Sequence, residues 1–340
     1  MTLTVDSFVA ELRPWIENRL QELSSLRSND PRVQLLQSEY QSIEPFENSK
    51  DHLDILHRIR QIAEDLGESG IVLWANISKY HKLKDADLIE QAYELAIQNV
   101  LAAREKHLAD TPLFSESHLA LIELMQSRDP WGYQVEIIDA CEYLLSKSPP
   151  NSNYGYCVAD SLISTQIIIG KYEDARSSLE KYRAWLKRNP FEDKTYILSW
   201  ELDCYEGKWA DLLEKVSDAY NDDYVAAFRA YALAQLGKHE EAKRTIEAIK
   251  DFDVVRNKSL LSSYYELIGD IDQAIRIYTD DNRVRGERFT WRSAKEAQRL
   301  VLLYNLKGDS EQAQVWLEKL RKACKSMKRA LHPDYARFIE

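Results

Sequence analysis

"AQLGKHEEAKRTI", residues 234–246, reads as a helical stretch interrupted by one glycine, and nearly the same string occurs three more times. "IIIGKYEDARSSL" (167–179), "ELIGDIDQAIRIY" (266–278) and "NLKGDSEQAQVWL" (305–317) each set an alanine five residues after a glycine. The pairs are Gly170/Ala175, Gly237/Ala242, Gly269/Ala274 and Gly308/Ala313. "CYEGKWADLLEKV" (204–216) adds Gly207, with Leu212 in the alanine's place. Successive glycines lie 37, 30, 32 and 39 residues apart. Self-similarity at about 20 to 50 residues marks a solenoid, in which each unit buries its apolar face against its neighbours.

Each unit reads as helix, short turn, helix. Glycine suits the end of the first helix because it takes the left-handed C′ conformation without a Cβ clash. The acidic residues that follow, Glu173 and Asp174 or Glu240 and Glu241, favour the positive end of the next helix. The alanine lets the two helices approach closely, since the packed ridge there admits only a small side chain. Nine and twelve residues after the glycine come Leu179/Tyr182, Val216/Ala219, Ile246/Ile249 and Leu317/Leu320, continuing one helical face. After Gly269 the series runs Ala274, Tyr278 and then Asp281, so that second helix is expected to end early.

The Gly…Ala pairs, the aromatic residues two after Gly170 and Gly207 (Tyr172, Trp209) and this apolar ladder resemble the tetratricopeptide repeat family. Asn189-Pro190 closes the first clear unit much as a proline does in that family. The resemblance spans roughly residue 156 to the C-terminus and departs from the family at Leu212 and on the first helices, where the packing pattern is only partly kept. It implies an all-α, right-handed superhelical solenoid of helix-turn-helix hairpins.

Upstream the pattern degrades. Residues 69–155 read as divergent hairpins, with helices expected near 69–82 and 85–108 and a further hairpin ended by Pro149-Pro150. Residues 1–68 read as an N-terminal helical cap or small bundle. Asp6 or Ser7 is the expected N-cap of its first helix, Pro14 is placed to distort that helix, and further helices are expected after Pro31 and over 49–66. Residues 156–340 carry the clear repeats and a C-terminal capping helix.

In a stack of such hairpins the first helices line the inner surface. Positions 13, 10, 6 and 3 before each glycine share one face, and they are more polar than positions 11, 8, 7 and 4. The resemblance implies a peptide-binding groove on this face, and the candidate residues are Lys194, Glu201, Tyr224, Tyr231, Arg256, Ser263, Lys295, Gln298 and Asn305. Tyrosines there offer an apolar body with a polar tip, and the cations can receive a carboxylate. The lysine-and-asparagine clamp of the family's chaperone-tail binders is absent from these positions, so chaperone C-termini are not the expected ligand.

The chain has 340 residues, 44% apolar and 30% charged, the balance of a folded protein. Ten glycines and nine prolines are too few turn formers for an all-β chain. A net charge of −11 argues against a polyanion-binding surface over the whole molecule. Residues 283–337 nevertheless hold 14 Lys and Arg against 6 Asp and Glu. Arg321, Lys322, Lys325, Lys328 and Arg329 form a basic patch within them. Its first reading is a solvated outer face; contact with an acidic partner or nucleic acid is the second. No leader pattern opens the sequence and nothing approaches ~18 unbroken apolar residues. Four scattered cysteines without a CxxC pair fit a cytoplasmic setting.

Catalytic and cofactor motifs are missing. There is no GxxxxGK[ST], GxGxxG or HExxH string, and no metal or cofactor is expected. His52 and His57, five apart, point to different sides of a helix, and acidic neighbours raise rather than lower the Cys204 thiol. "TDDNRVRG" (279–286) lacks the closing acidic ligand of a calcium loop and reads as an inter-repeat loop. Asn76-Ile77-Ser78 matches a glycosylation sequon by pattern only. The expectation is a non-enzymatic adaptor that holds a protein or peptide segment in its groove. A nucleic-acid-associated regulator using the basic C-terminal third, or a structural subunit of a larger complex, is the alternative.

Overall fold

The computed structural model describes residues 5–43, 50–86, 88–105, 108–147, 153–186, 194–217, 222–252, 255, 257–280 and 291–326. Among the described residues there are eighteen α-helices and no strand. The chain divides into two compact units, residues 1–124 and 125–340. No helix of the described residues is long and apolar enough to cross a membrane.

The first unit contains α1 (Val5–Leu26), α2 (Pro31–Gln41), α3 (Lys50–Leu66), α4 (Ser69–Asp85), α5 (Ile89–Glu105) and the start of α6 (Pro112–Arg128). Helix α1 begins at Val5, so Asp6 and Ser7 lie within it and neither is the expected N-cap. Pro14 sits inside α1 without interrupting it. Pro31 opens α2, where its missing N–H costs nothing, and the Asp30 carboxylate accepts from the Arg32 N–H at 3.0 Å. Between α4, α5 and α6, Tyr80, Leu83, Ala92, Ala96, Ala120 and Leu124 form one buried cluster. The Tyr80 hydroxyl donates to the Ala120 carbonyl at 3.2 Å, so the polar tip of a fully buried ring is satisfied.

The second unit runs through α7 (Gln134–Lys147), α8 (Asn153–Ile168), α9 (Tyr172–Lys181), α10 (Arg183–Leu186), α11 (Lys194–Tyr205) and α12 (Trp209–Ser217). It continues with α13 (Asp222–Gln235), α14 (His239–Glu247), α15 (Lys258–Leu267), α16 (Ile271–Asp280), α17 (Trp291–Lys307) and α18 (Ser310–Ser326). The five repeated glycines fall in the turns of the packed pairs α8/α9, α11/α12, α13/α14, α15/α16 and α17/α18. Each has φ between +70° and +83°. At each, the two closing hydrogen bonds of a left-handed cap form: Gly170 N–H donates to the Ile167 carbonyl (3.1 Å) and Lys171 N–H to the Gln166 carbonyl (2.8 Å). Gly67, between α3 and α4, makes the same pair at φ +73°, so this turn also occurs in the first unit.

The residue after the glycine decides how the next helix is capped. Asp270 and Asp309 accept from the N–H groups of Gln273 and Gln312, both at 3.1 Å, whereas Lys171 and Lys238 supply no side-chain cap. The predicted small positions are buried: Ala175, Ala242 and Ala274 are fully covered and Ala313 nearly so. Where Leu212 takes the place, it packs with Trp200, Val216 and Phe228, and Trp200 stands edge-on to Phe228 at 5.6 Å between centroids. Helix α16 is described as far as Asp280, and its ten residues already make it no shorter than α9, α12 or α14. Asn189, Pro190, Pro149, Pro150 and the 281–286 part of the expected loop lie outside the described residues.

Two long-range features tie the second unit together. Arg176 of α9 reaches Asp203 of α11 (2.8 Å) and Glu206 in the turn after it, while Lys215 of α12 reaches Asp203 at 2.5 Å. Asp203 is wholly buried, and this double pairing offsets the cost of placing its charge there. Further along the chain, Trp131 in the α6–α7 turn and Ile168 at the end of α8 pack against Ala294, Ala297, Leu320, Ala323 and Cys324 of α17 and α18. The first and last hairpins of the unit therefore touch, which a purely neighbour-to-neighbour array does not require.

Candidate functional site

The first helices α8, α11, α13, α15 and α17 carry the sequence-predicted binding face. Their two sets of positions differ in burial as the polarity contrast implied, with exceptions. On α17, Ala297, Leu300 and Val301 are buried, while Lys295, Leu302 and Asn305 are exposed and Gln298 is half-buried. On α13, Ala226, Ala230 and Leu233 are buried, and Tyr224 and Tyr231 are half-buried. On α15, Leu261 and Ser262 are buried, Ser263 is half-buried and Ser259 exposed. The exceptions lie on the face itself: Cys157, Ile167, Ala227 and Ala234 are buried, so α8 and α13 expose less of it than α17.

Several of these side chains are already engaged. Tyr231 stands edge-on to Trp209, 5.4 Å between centroids, and its ring rests on the cluster of Ala227, Leu233, Ala242 and Leu261. Tyr224 packs on the cluster holding Trp200 and Phe228. Glu266, a neighbour of Ser263 on the same face, pairs with Arg299 of α17. Lys295 reaches back 90 residues to Tyr205, with Nζ 3.5 Å from the hydroxyl and 5.9 Å from the ring centre. Tyr205 in turn stacks on Tyr172 at 5.8 Å. The fold thus brings Lys295 to the end of α11, a juxtaposition of two repeats that the spacing alone did not reveal. Glu201 is half-buried one turn before Tyr205 on α11. Lys194 is the first residue of α11, and Arg256 lies outside the described residues.

The basic patch divides in the same way. Arg321, Lys322 and Lys325 are exposed on α18, and none has an ion-pair partner among the described residues. Lys328 and Arg329 lie outside them. Ala323 and Cys324, between the basic residues, point inward to Trp131 and Ile168.

Burial is the first cause that pushes the Cys204 thiol up to about 12, followed by the charges of Glu201 and Asp203, so it is not a thiolate at neutral pH. Burial likewise raises Cys141, and Cys324 to about 11. His52 is buried and His57 exposed on the same helix, which separates the two rings as their spacing implied. Compared with known proteins, the chain matches no family model, and no curated protein shows significant sequence similarity to it.

Proposed function

We propose that this protein is a non-catalytic adaptor, a tetratricopeptide-type right-handed solenoid whose second unit holds a protein segment along α13, α15 and α17 in the cytoplasm. One observation carries the reading: Tyr224, Tyr231, Ser263, Gln298, Lys295 and Asn305 keep accessible surface while the adjoining positions of the same helices are buried. Such a face is preorganised. Its tyrosine rings are held by packing and lose little freedom on binding, which favours affinity without a large ordering cost. Lys295 selects for a carboxylate, which approaches an ammonium that stands 3.5 Å from the Tyr205 hydroxyl at an exposed site.

The test is selection of displayed random peptides on the full chain, followed by affinity measurement. Recovered peptides are expected to carry an acidic residue and to lose about tenfold in affinity on Lys295→Glu, and a similar amount on Ser263→Glu. Glu311→Lys on the exposed side of α18 should leave binding unchanged. Absence of enrichment, or indifference to both groove substitutions, sinks the reading. The exposed Arg321, Lys322 and Lys325 support the second reading, a nucleic-acid contact. It requires single-stranded oligonucleotide binding that falls steeply with salt and is lost on Arg321→Glu with Lys325→Glu.

A further inference from the structure

Helices α1, α2, α3 and α4 of the first unit line a cavity of about 730 Å³ that is open to solvent on one side. It falls in the range of small-molecule sites, about 300–1,000 Å³. Its floor is apolar: Leu12, Leu20, Leu56, Trp74 and Ile77 line it, each almost wholly shielded by the surrounding helices.

The polar groups around that floor define what fits. Arg13 and Glu17 pair with each other at 2.8 Å, and His81 Nε2 is bound to the buried Glu116 at 2.9 Å. Lys82 and Asp85 add one charge of each sign. With Arg13 and Glu17 they sum to zero, so these four side chains favour neither sign of ion. Tyr40 stands edge-on to Trp74 at 5.5 Å and forms an aromatic wall. Its hydroxyl is pushed up to about 12, chiefly by burial and then by Glu17, and so stays neutral. Ser24, Gln37 and Ser78 add neutral polar side chains to the lining.

We propose that this cavity binds an uncharged, largely apolar small molecule, with the rings of Trp74 and Tyr40 packing on its body. The site lies wholly in the first unit and is independent of the peptide-binding reading.

The probe is Nile red, an uncharged aromatic dye with a ring carbonyl, titrated into the full chain, with the anionic anilinonaphthalene sulfonate alongside. The expected result is saturable, blue-shifted Nile red emission at one dye per chain, with the anion at least about tenfold weaker. Ser78→Trp on α4 and Gln37→Trp on α2 each grow a ring into the cavity from a half-buried lining position. Each variant that keeps the wild-type helical signal and melting midpoint should lose about tenfold or more in Nile red affinity. Tyr40→Leu, which removes the aromatic wall and keeps an apolar side chain, should lose a few-fold and serves if both filled variants misfold. Non-saturable binding, equal affinity for the anion, or unchanged affinity in the folded variants overturns the proposal and places the dye on exposed apolar side chains elsewhere.

Discussion

A methyl group added at Gly237 would meet no atom within 4 Å, yet the residue stands at φ +76°, where an L side chain crowds its own carbonyl. Gly70 presents the opposite case. Its backbone is ordinary helix, but an added Cβ would lie 2.7 Å from Trp15 Cη2. The two substitutions to alanine should therefore fail differently. Gly237→Ala is expected to cost about 1 kcal/mol from backbone conformation alone, and no second-site change nearby should recover it. Gly70→Ala gains helix propensity but overpacks a rigid ring, for a net loss of about 1–2 kcal/mol. Shortening the ring by Trp15→Phe should reverse its sign, so that Gly70→Ala stabilises the Trp15→Phe background. Urea unfolding of the four proteins measures this, and a Gly70→Ala penalty that persists beside Phe contradicts the steric account.

At the scale of elements, the joint between α9, α11 and α12 depends on Arg176. Hydrogen bonds from Arg176, then Lys208, hold the Glu206 carboxyl down at about 2 against an ordinary value of 4.5. A carboxyl depressed in the folded state contributes stability that is full above 4.5 and is lost as pH falls towards 2. Arg176→Gln removes that contribution and leaves buried Asp203 with Lys215 alone, a cost on the order of 3 kcal/mol at neutral pH. The gap between variant and wild type should narrow as pH drops from about 4.5 towards 2, where Glu206 protonates in both. Denaturant unfolding at neutral pH and in that acid range tests it; a gap that ignores pH refutes the assignment. This joint was not legible in the sequence, because Arg176, Asp203 and Glu206 come from different repeats and acidic residues are everywhere along the chain. The hairpin turns were legible, since only glycine relieves a positive φ at a helix end and its spacing shows directly in the string. The binding face was legible in part. Helical periodicity orders residues around one axis, but burial of Cys157, Ile167, Ala227 and Ala234 is decided by neighbouring helices that periodicity does not see. Nor does any motif announce the cavity of the first unit, whose lining is collected from four helices.

Taken as a whole, the second unit holds two contacts between helices far apart in the chain, Lys295 with Tyr205 and Trp131 with α17 and α18. In a stack stabilised only by adjacent repeats, a change near one end fades before it reaches the other. Here Trp131, in the α6–α7 turn, lies against α17 and α18, more than 160 residues later in the chain. Its removal deprives Ala294, Ala297, Leu320 and Ala323 of an aromatic cover, for a loss of about 2–3 kcal/mol. The last hairpin has no following repeat among the described residues to cover it, so the loss should appear there. Trp131→Ala is accordingly expected to speed amide exchange in α17 and α18 by about ten- to a hundredfold, with α13 and α14 little changed. Trp185→Ala is the matched control: that ring stacks on Tyr182 at 5.1 Å within its own neighbourhood and should leave α17 and α18 protected. Hydrogen exchange read by mass spectrometry distinguishes the cases. If protection of α17 and α18 is the same in Trp131→Ala as in the wild type, the last hairpin is held by α15 and α16 alone and the contact between the two ends contributes nothing to stability.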